Sequence, residues 1–524
     1  MTVPGNLSSP LLATAAAAAA AAAGPTRSLR FNSGDSAYLN RTPSSSGNRR
    51  TMTISFWYKN TVKTTSGQQP FLAGQFTTPT KDFYTMLSKL QDGSLFFSAR
   101  LGGSDLFTLR TSQVLRDPGA WYSIILAIDT TQATAANRVK FYINGSQVTD
   151  FQTETYPSQN KQMDYLNENQ LHFIGRRLDN SYEYFDGYLA DFYFIDGSQL
   201  EPTSFGAYDD NGVWQAAAYS GTFGTNGFHL LDFANESTVG HDSSGNENDF
   251  TANNFSTSAG AGNDVLFDVP TNGAQSDTGA GGEVSGNYCT WNPLDQSGIT
   301  FSNSNLDTTG SGMCKATFGL ASGKWYWEQT VITKSDGANN PRSGVATAAA
   351  SLTNDLGAAA NQWVMFMAGG SNGGKGYNNS TITGSGSAFA VNDVAMFAYD
   401  ADAEKLWFGR NGTWITGDPA AGSTPFYSSV TAPVFPVVQQ GSSSTVSNWG
   451  QRSFSYSAPS GFKALCTTNL PTPTIADGSA HFETKLYGGN GGSKRIGGST
   501  TAASSGVTAT GTGGVSGISS TYPI

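Results

Sequence analysis

The chain has 524 residues, a formal net charge of −10 and only 13% charged side chains, about half the ~25% of an average globular domain. With no clustered Lys or Arg to displace counterions from phosphates, a broad nucleic-acid surface is excluded. Three cysteines, Cys289, Cys314 and Cys466, show no C-x-x-C spacing, and there are four histidines in all, so a thiolate or imidazole zinc site is excluded as well; they read as small buried apolar side chains of a protein folded in a reducing cytosol.

Residues 1–27 hold Leu11 and Leu12 and the alanine run Ala15 to Ala23, ending at Gly24-Pro25. The run lacks the Lys or Arg that would precede it in a signal peptide, and it is too short to span a bilayer. Alanine is the best helix former, but a helix without an amphipathic stripe has little stability alone, so the segment is expected to act as an anchor that packs on copies of itself or on a partner.

Residues 28–206 are expected to form a first antiparallel sandwich. Its strands read as Ser28-Leu-Arg-Phe-Asn-Ser33, Met52-Thr-Ile-Ser-Phe-Trp57, Trp121-Tyr-Ser-Ile-Ile-Leu-Ala-Ile-Asp129 and Phe185-Asp-Gly-Tyr-Leu-Ala-Asp-Phe-Tyr193. Asn144-Gly145 supplies the two positive-φ positions of a type I′ hairpin. In the last strand Tyr188, Ala190, Phe192 and Phe194 alternate with Leu189, Asp191 and Tyr193, the pattern of a strand with one face on a core. Trp57 and Trp121 sit inside apolar runs and read as core. The order of these strands resembles a laminin-G or concanavalin-like jelly roll. Loops carry function on such scaffolds, and the 178–184 loop offers Tyr182 and Tyr184 as faces for a sugar ring with Asp179 and Asn180 for its hydroxyls.

Residues 207–287 read as a bridge. Within it Asp242, Ser244, Asn246, Asn248 and Asp249 place five oxygen-bearing side chains in one loop, a candidate calcium site whose spacing departs from the EF-hand pattern; the other reading is an Asx-rich turn network. No other cofactor is implied.

Residues 288–470 are expected to form a second sandwich. Val394 to Tyr399 is a continuous apolar run too short for a helix, and Asn411-Gly412 marks another I′ hairpin. Gly323-Lys-Trp-Tyr-Trp-Glu328, Asn392 to Tyr399, Lys405-Leu-Trp-Phe-Gly-Arg-Asn-Gly-Thr-Trp414 and Pro459 to Leu465 resemble, in order, the SPRY domain, a binding module without chemistry of its own. Gly369-Gly-Ser-Asn-Gly-Gly-Lys375 mimics both a P-loop and a nucleophile elbow around Ser371, but Gly376 stands where Ser or Thr should hold magnesium and no helix-forming sequence follows. Jelly-roll glycanases place their carboxyls as E-x-D-x-x-E or a close variant; Glu154, Glu168 and Glu183 are isolated. No catalytic residues are assigned, and the chain is expected not to be an enzyme.

Residues 471–524 read as a terminal strand followed by a Gly/Ser/Thr-rich tail. The whole order of parts, including Asp277 to Asp295 and Cys466-Thr-Thr-Asn-Leu-Pro471, is similar to that of bacteriophage virion proteins, chiefly of marine phages. The fold class is therefore all-β: two sandwiches between an Ala-rich segment and a Gly/Ser-rich tail. The resemblance implies a tail-fibre or receptor-binding adhesin that is made in the bacterial host cytoplasm, joins other virion proteins through its N-terminal segment and contacts host surface glycan or protein. A homo-oligomer is implied, trimers being common among fibres, with no membrane insertion. The competing readings are a capsid-decorating or tail-structural protein, and a depolymerase built from sequence-distant acids.

Overall fold

The computed structural model describes residues 24–61, 67–76, 82–177, 183–209, 212–230, 239–336, 339–471, 485–487 and 493–495. The Ala-rich run and nearly all of the tail lie outside these residues. Among them the regular structure is antiparallel strand with short 3₁₀ turns, and no helix is long and apolar enough to cross a membrane.

Two eight-stranded sheets face each other over residues 28–266. The first sheet runs Ser146–Val148, Val139–Ile143, Trp121–Asp129, Thr51–Asn60, Gly187–Asp196, Ser28–Phe31 and Val265–Leu266, with Phe228–Leu230 also on Gly187–Asp196. The second runs Phe151–Thr155, Ser104–Val114, Ser94–Leu101, Phe83–Lys89, Gln69–Gln75, Leu171–Ile174, Tyr38–Arg41 and Thr251–Asn253. Side chains alternate across each strand, so Leu29, Phe56, Leu72, Leu87, Phe97, Ile124 and Phe192 meet in one core between the sheets. The segment 207–287 is thus not a separate bridge. Phe228–Leu230, Thr251–Asn253 and Val265–Leu266 complete both sheets: the first and third bury against Gly187–Asp196 and Ser28–Phe31, and the largely exposed Thr251–Asn253 pairs its backbone with the open edge at Tyr38–Arg41.

The strand Gly187–Asp196 is buried on both faces, not one. A bulge explains how the sequence misleads: Asp191 takes φ +53° and the register against Thr51–Asn60 shifts between Ala190 and Tyr193. An extra residue swaps the parity of everything beyond it. Leu189 and then Phe192 and Phe194 enter the sandwich core, whereas Tyr188, Ala190, Tyr193 and Ile195 point outward. His229 Nε2 lies 2.9 Å from Asp191 Oδ1, and its ring stacks on Tyr193 at 3.9 Å, which fixes the bulged residue.

The second sandwich is one curled twelve-stranded sheet. Its spine is Val434–Asn448, which pairs with Arg342–Thr347 along its first half and Lys324–Thr333 along its second, and with Asp307–Ala316 across both. A single strand can serve both layers because it turns at Gly441 and Ser442, the latter at φ +56°. Val394–Asp400 is buried throughout, as its continuous apolar run requires, and Trp327 stacks on Phe397 with centroids 5.1 Å apart. Both Asn-Gly turns have positive φ at both residues: 48° and 76° at Asn144 and Gly145, 48° and 81° at Asn411 and Gly412.

The outward face of the first sheet is what joins the two halves. Trp57, Trp121, Tyr188 and Ala190 belong to the same apolar cluster as Tyr288, Trp291, Trp325 and Trp327. Trp57 and Trp121 are core residues, but of the union between the sandwiches rather than of the first sandwich itself.

Candidate functional site

The outer face of the second sheet is the part of the first sandwich with a side-chain pattern unlike a core. One rung crosses it: Asn40 opposite Phe173, Phe173 opposite Ala73, Ala73 opposite Met86, Met86 opposite Ser98, Ser98 opposite Thr108. In the middle of the rung Ala73, Met86 and Ser98 are fully buried, and Thr108 is half-buried. Tyr84 and Arg100 stand opposite each other on one side, Phe96 and Arg110 on the other.

At the end nearest Tyr38–Arg41 aromatic rings surround a guanidinium. The Arg176 guanidinium sits 4.5 Å from the Tyr38 ring centroid and 5.3 Å from those of Phe173 and Tyr184, and Tyr38 meets Phe173 edge-on at 5.9 Å. Arg177 lies over Tyr84 at 5.3 Å and pairs with Glu183 at 3.0 Å. Cations over ring faces fix the rings in place. Phe173 and Arg176 are buried, whereas Tyr38 and Tyr184 are half-buried, so the two tyrosine rings, each with an apolar face and a hydroxyl, are the part of the cluster that a ligand ring can reach.

Of the four residues expected to contact ligand, Tyr184 is in this cluster. Asp179, Asn180 and Tyr182 lie outside the described residues. Tyr38, Tyr84, Phe173, Arg176 and Arg177 were not singled out from sequence. The available signal was the Arg176-Arg177 pair directly before the loop; the rest depends on which face each strand residue takes.

Most side-chain oxygens of the five candidate residues in the loop at 241–249 already accept hydrogen bonds. Asp242 Oδ1 accepts the His229 and Ser244 N–H groups at 2.8 and 2.9 Å, and Oδ2 accepts Ser244 Oγ and the Asn248 N–H at 2.9 and 2.8 Å. Asn248 donates to the Thr225 and Gly227 carbonyls and accepts from Arg41, Asn246 donates to the Gly224 and Gly227 carbonyls, and Asp249 Oδ1 accepts the Asp242 N–H at 2.8 Å. Calcium needs six to eight oxygens free to converge, whereas these satisfy a turn, so the arrangement does not fit that ion. Among the described residues no group of three or more His, Cys, Asp or Glu is placed to hold a metal.

No acid–base pair emerges at the isolated glutamates. Glu154 accepts from Tyr156, Glu168 pairs with Arg49, and Glu183 pairs with Arg177. The 369–375 stretch is a chain of turns fixed by the Gly369 N–H on Asp336, with no helix after it to receive a phosphate. The three cysteines are buried and unpaired in any disulfide; burial pushes the Cys289 and Cys466 thiols up to about 12, far from a nucleophile's range.

A cleft of about 550 Å³ opens where the sandwiches meet, between Asn32, Asp35, Phe255, Asp264 and Asn303. Arg30 is held at its base by Asp264 at 2.9 Å. Behind it burial raises Asp307 to about 6, with Asn303 donating to its carboxylate.

Residues 32–202 match the family model described as the concanavalin A-like lectin/glucanases superfamily. The first sandwich has a concanavalin-like, laminin-G fold. A domain of this fold is of a carbohydrate- or protein-binding type. Among solved structures the chain is similar to the SPRY domain of human HERC1 (20% identity over 30% of this chain and 96% of that one, TM-score 0.24), to the TRIM65 PSpry domain (13%, 30% and 89%, TM-score 0.24) and to a native heptameric SAP-like pentraxin from Limulus polyphemus (17%, 34% and 78%, TM-score 0.25). No curated protein matches the chain.

Proposed function

We propose that this protein is a non-enzymatic virion adhesin, a tail-fibre or receptor-binding protein whose concanavalin-like domain holds host surface glycan against Tyr38 and Tyr184 on the outer face of its second sheet. The observation that carries the reading is the ring wall of Tyr38, Phe173 and Tyr184 around Arg176 on the sheet's outer face. The concanavalin-like fold supports a binding role, and the similarity of the chain's order of parts to phage virion proteins supports the place of action. Several copies, fixed through their N-terminal segments to other virion proteins, would bind weakly one by one and gain ~10²–10⁴ in avidity together.

Labelling of intact particles with an antibody fragment against residues 288–470 tests the placement. Signal at tail appendages is expected. Signal over the capsid would make this a decorating protein, and a particle without signal would refute the virion reading.

A further inference from the structure

Lys59 is entirely shielded from solvent, although a lone buried ammonium is among the costliest groups a protein can hold. It projects from Thr51–Asn60 into the union between the sandwiches, where its Nζ lies 2.7 Å from Asp268 Oδ2, 2.8 Å from Asn287 Oδ1 and 2.7 Å from the Tyr288 carbonyl. Asp268 is 1% exposed and Asn287 5%. Aromatic side chains close the site: Trp121 donates its indole N–H to Asp268 Oδ1 at 3.1 Å, Lys59 Nζ sits 5.6 Å from the Tyr188 ring, and the Tyr288 N–H also reaches Asp268 Oδ1 at 3.2 Å. Asn287 is fixed from the other side, its Nδ2 donating to the Gly119 carbonyl at 2.6 Å.

An amine in contact with both a carboxamide and a carboxyl group, all three shielded from solvent beside aromatic rings, is the set needed for transamidation. The geometry points to an intramolecular isopeptide bond between Lys59 Nζ and Asn287 Cγ, formed with Asp268 as the proton carrier. The Nζ–Cγ bond forms and the Asn287 Cγ–Nδ2 bond breaks. Of the two protons that leave the Lys59 ammonium, one passes by way of Asp268 to Nδ2, which departs as ammonia, and the other stays on Asp268, so atoms and charge balance with no oxidant or reductant. Three features favour the step. The reacting groups are already held at contact distance, which removes the entropic part of the barrier. The carrier is within hydrogen-bond reach of the proton it moves. Burial raises the Asp268 carboxyl above the usual carboxylate range, opposed by Lys59, so it can both accept and return a proton. The product exchanges a buried ion pair for a neutral amide. It would tie the concanavalin-like domain covalently to the start of the second sandwich, a useful property for an adhesin under load.

The test is peptide mapping of the purified full chain, unfolded and digested with trypsin. The expected result is a branched peptide in which Lys59, uncleaved, is joined to the peptide containing Asn287 with the loss of one ammonia. Asp268→Asn is expected to give the two linear peptides instead. Linear peptides from the wild type, with cleavage after Lys59 and an intact Asn287, would overturn the proposal whatever the folding of the variant. A branched peptide lighter by one water would overturn the assignment to Asn287, since it places the bond on Asp268.

Discussion

Glu328 closes the Trp-Tyr-Trp-Glu run and is 2% exposed, yet it has no cationic partner within salt-bridge distance among the described residues. Instead its Oε1 accepts the Tyr456 N–H at 2.8 Å and the Tyr326 hydroxyl at 3.0 Å, and its Oε2 accepts the Ser455 N–H at 2.8 Å. The carboxylate therefore pins the 455–456 backbone onto the strand Lys324–Thr333. Glu328→Ala takes the acceptor from the Ser455 and Tyr456 N–H groups, while the Tyr326 hydroxyl keeps the Tyr456 carbonyl at 3.0 Å. At about 1–3 kcal/mol for each buried group left unpaired, and with relief as water reaches the exposed Ser455, the loss should be about 2–4 kcal/mol. Glu328→Gln keeps an oxygen for Tyr456 and Tyr326 but turns an NH₂ toward the Ser455 N–H, so about 1–3 kcal/mol is expected. Urea unfolding followed by tryptophan fluorescence reads both as shifts in midpoint at constant slope. An alanine variant within about 0.5 kcal/mol of wild type, or a glutamine variant as unstable as the alanine one, would refute this account of the site.

Asp307 gives a pH dependence of defined sign. Burial lifts it to about 6 in the folded chain, with Asn303, Arg30 and Arg452 opposing the shift and Asp35 adding to it, against 3.8 for a free aspartate side chain. A raised pKa means stability present below about 4 and lost as pH rises through about 6; two units correspond to about 3 kcal/mol. Thermal unfolding between pH 4 and 7 should show this slope, and Asp307→Asn should flatten it; an unchanged slope in the variant refutes the assignment. At Gly145, φ is +76° and an added Cβ would lie 2.4 Å from Trp214 Cε3, so Gly145→Ala should destabilise by more than the roughly 1–2 kcal/mol of the left-handed conformation alone. A melting temperature equal to wild type would contradict that. Calcium or a chelator should leave the melting temperature unchanged, whereas Asp242→Ala, which strips four donors of their acceptor, should lower it; a calcium-dependent rise would show that the 241–249 loop opens to the ion.

Much of the fold was legible because local signals and burial agreed. The two Asn-Gly turns, the apolar run at 394–399 and the aromatic strand at 324–328 each specify one conformation whatever surrounds them. The last strand of the first sandwich was misread because a bulge at Asp191 depends on His229, far along the chain, and no periodicity announces it. The strands at 228–230, 251–253 and 265–266 are two or three residues long, too short for any pattern, and exist only because sheet edges await them. The binding surface was half visible: Tyr184 and its loop stood out by composition, but Tyr38 and Phe173 come together through the pairing of their two strands, and Arg176 joins them beside its bridge to Tyr184. The Lys59, Asp268 and Asn287 contact is less legible still, since each residue alone is an ordinary polar side chain.

The measurement that bears most directly on the central claim is glycan-array binding by the full chain, compared with the Tyr38→Ala/Tyr184→Ala variant, with released reducing ends assayed on whatever glycan is bound. The account predicts binding to glycan that falls by at least about tenfold in the variant, as loss of ring stacking of about 1.4 kcal/mol implies, and no release of reducing ends. Equal binding by the folded variant, or cleavage of the bound glycan, would contradict it.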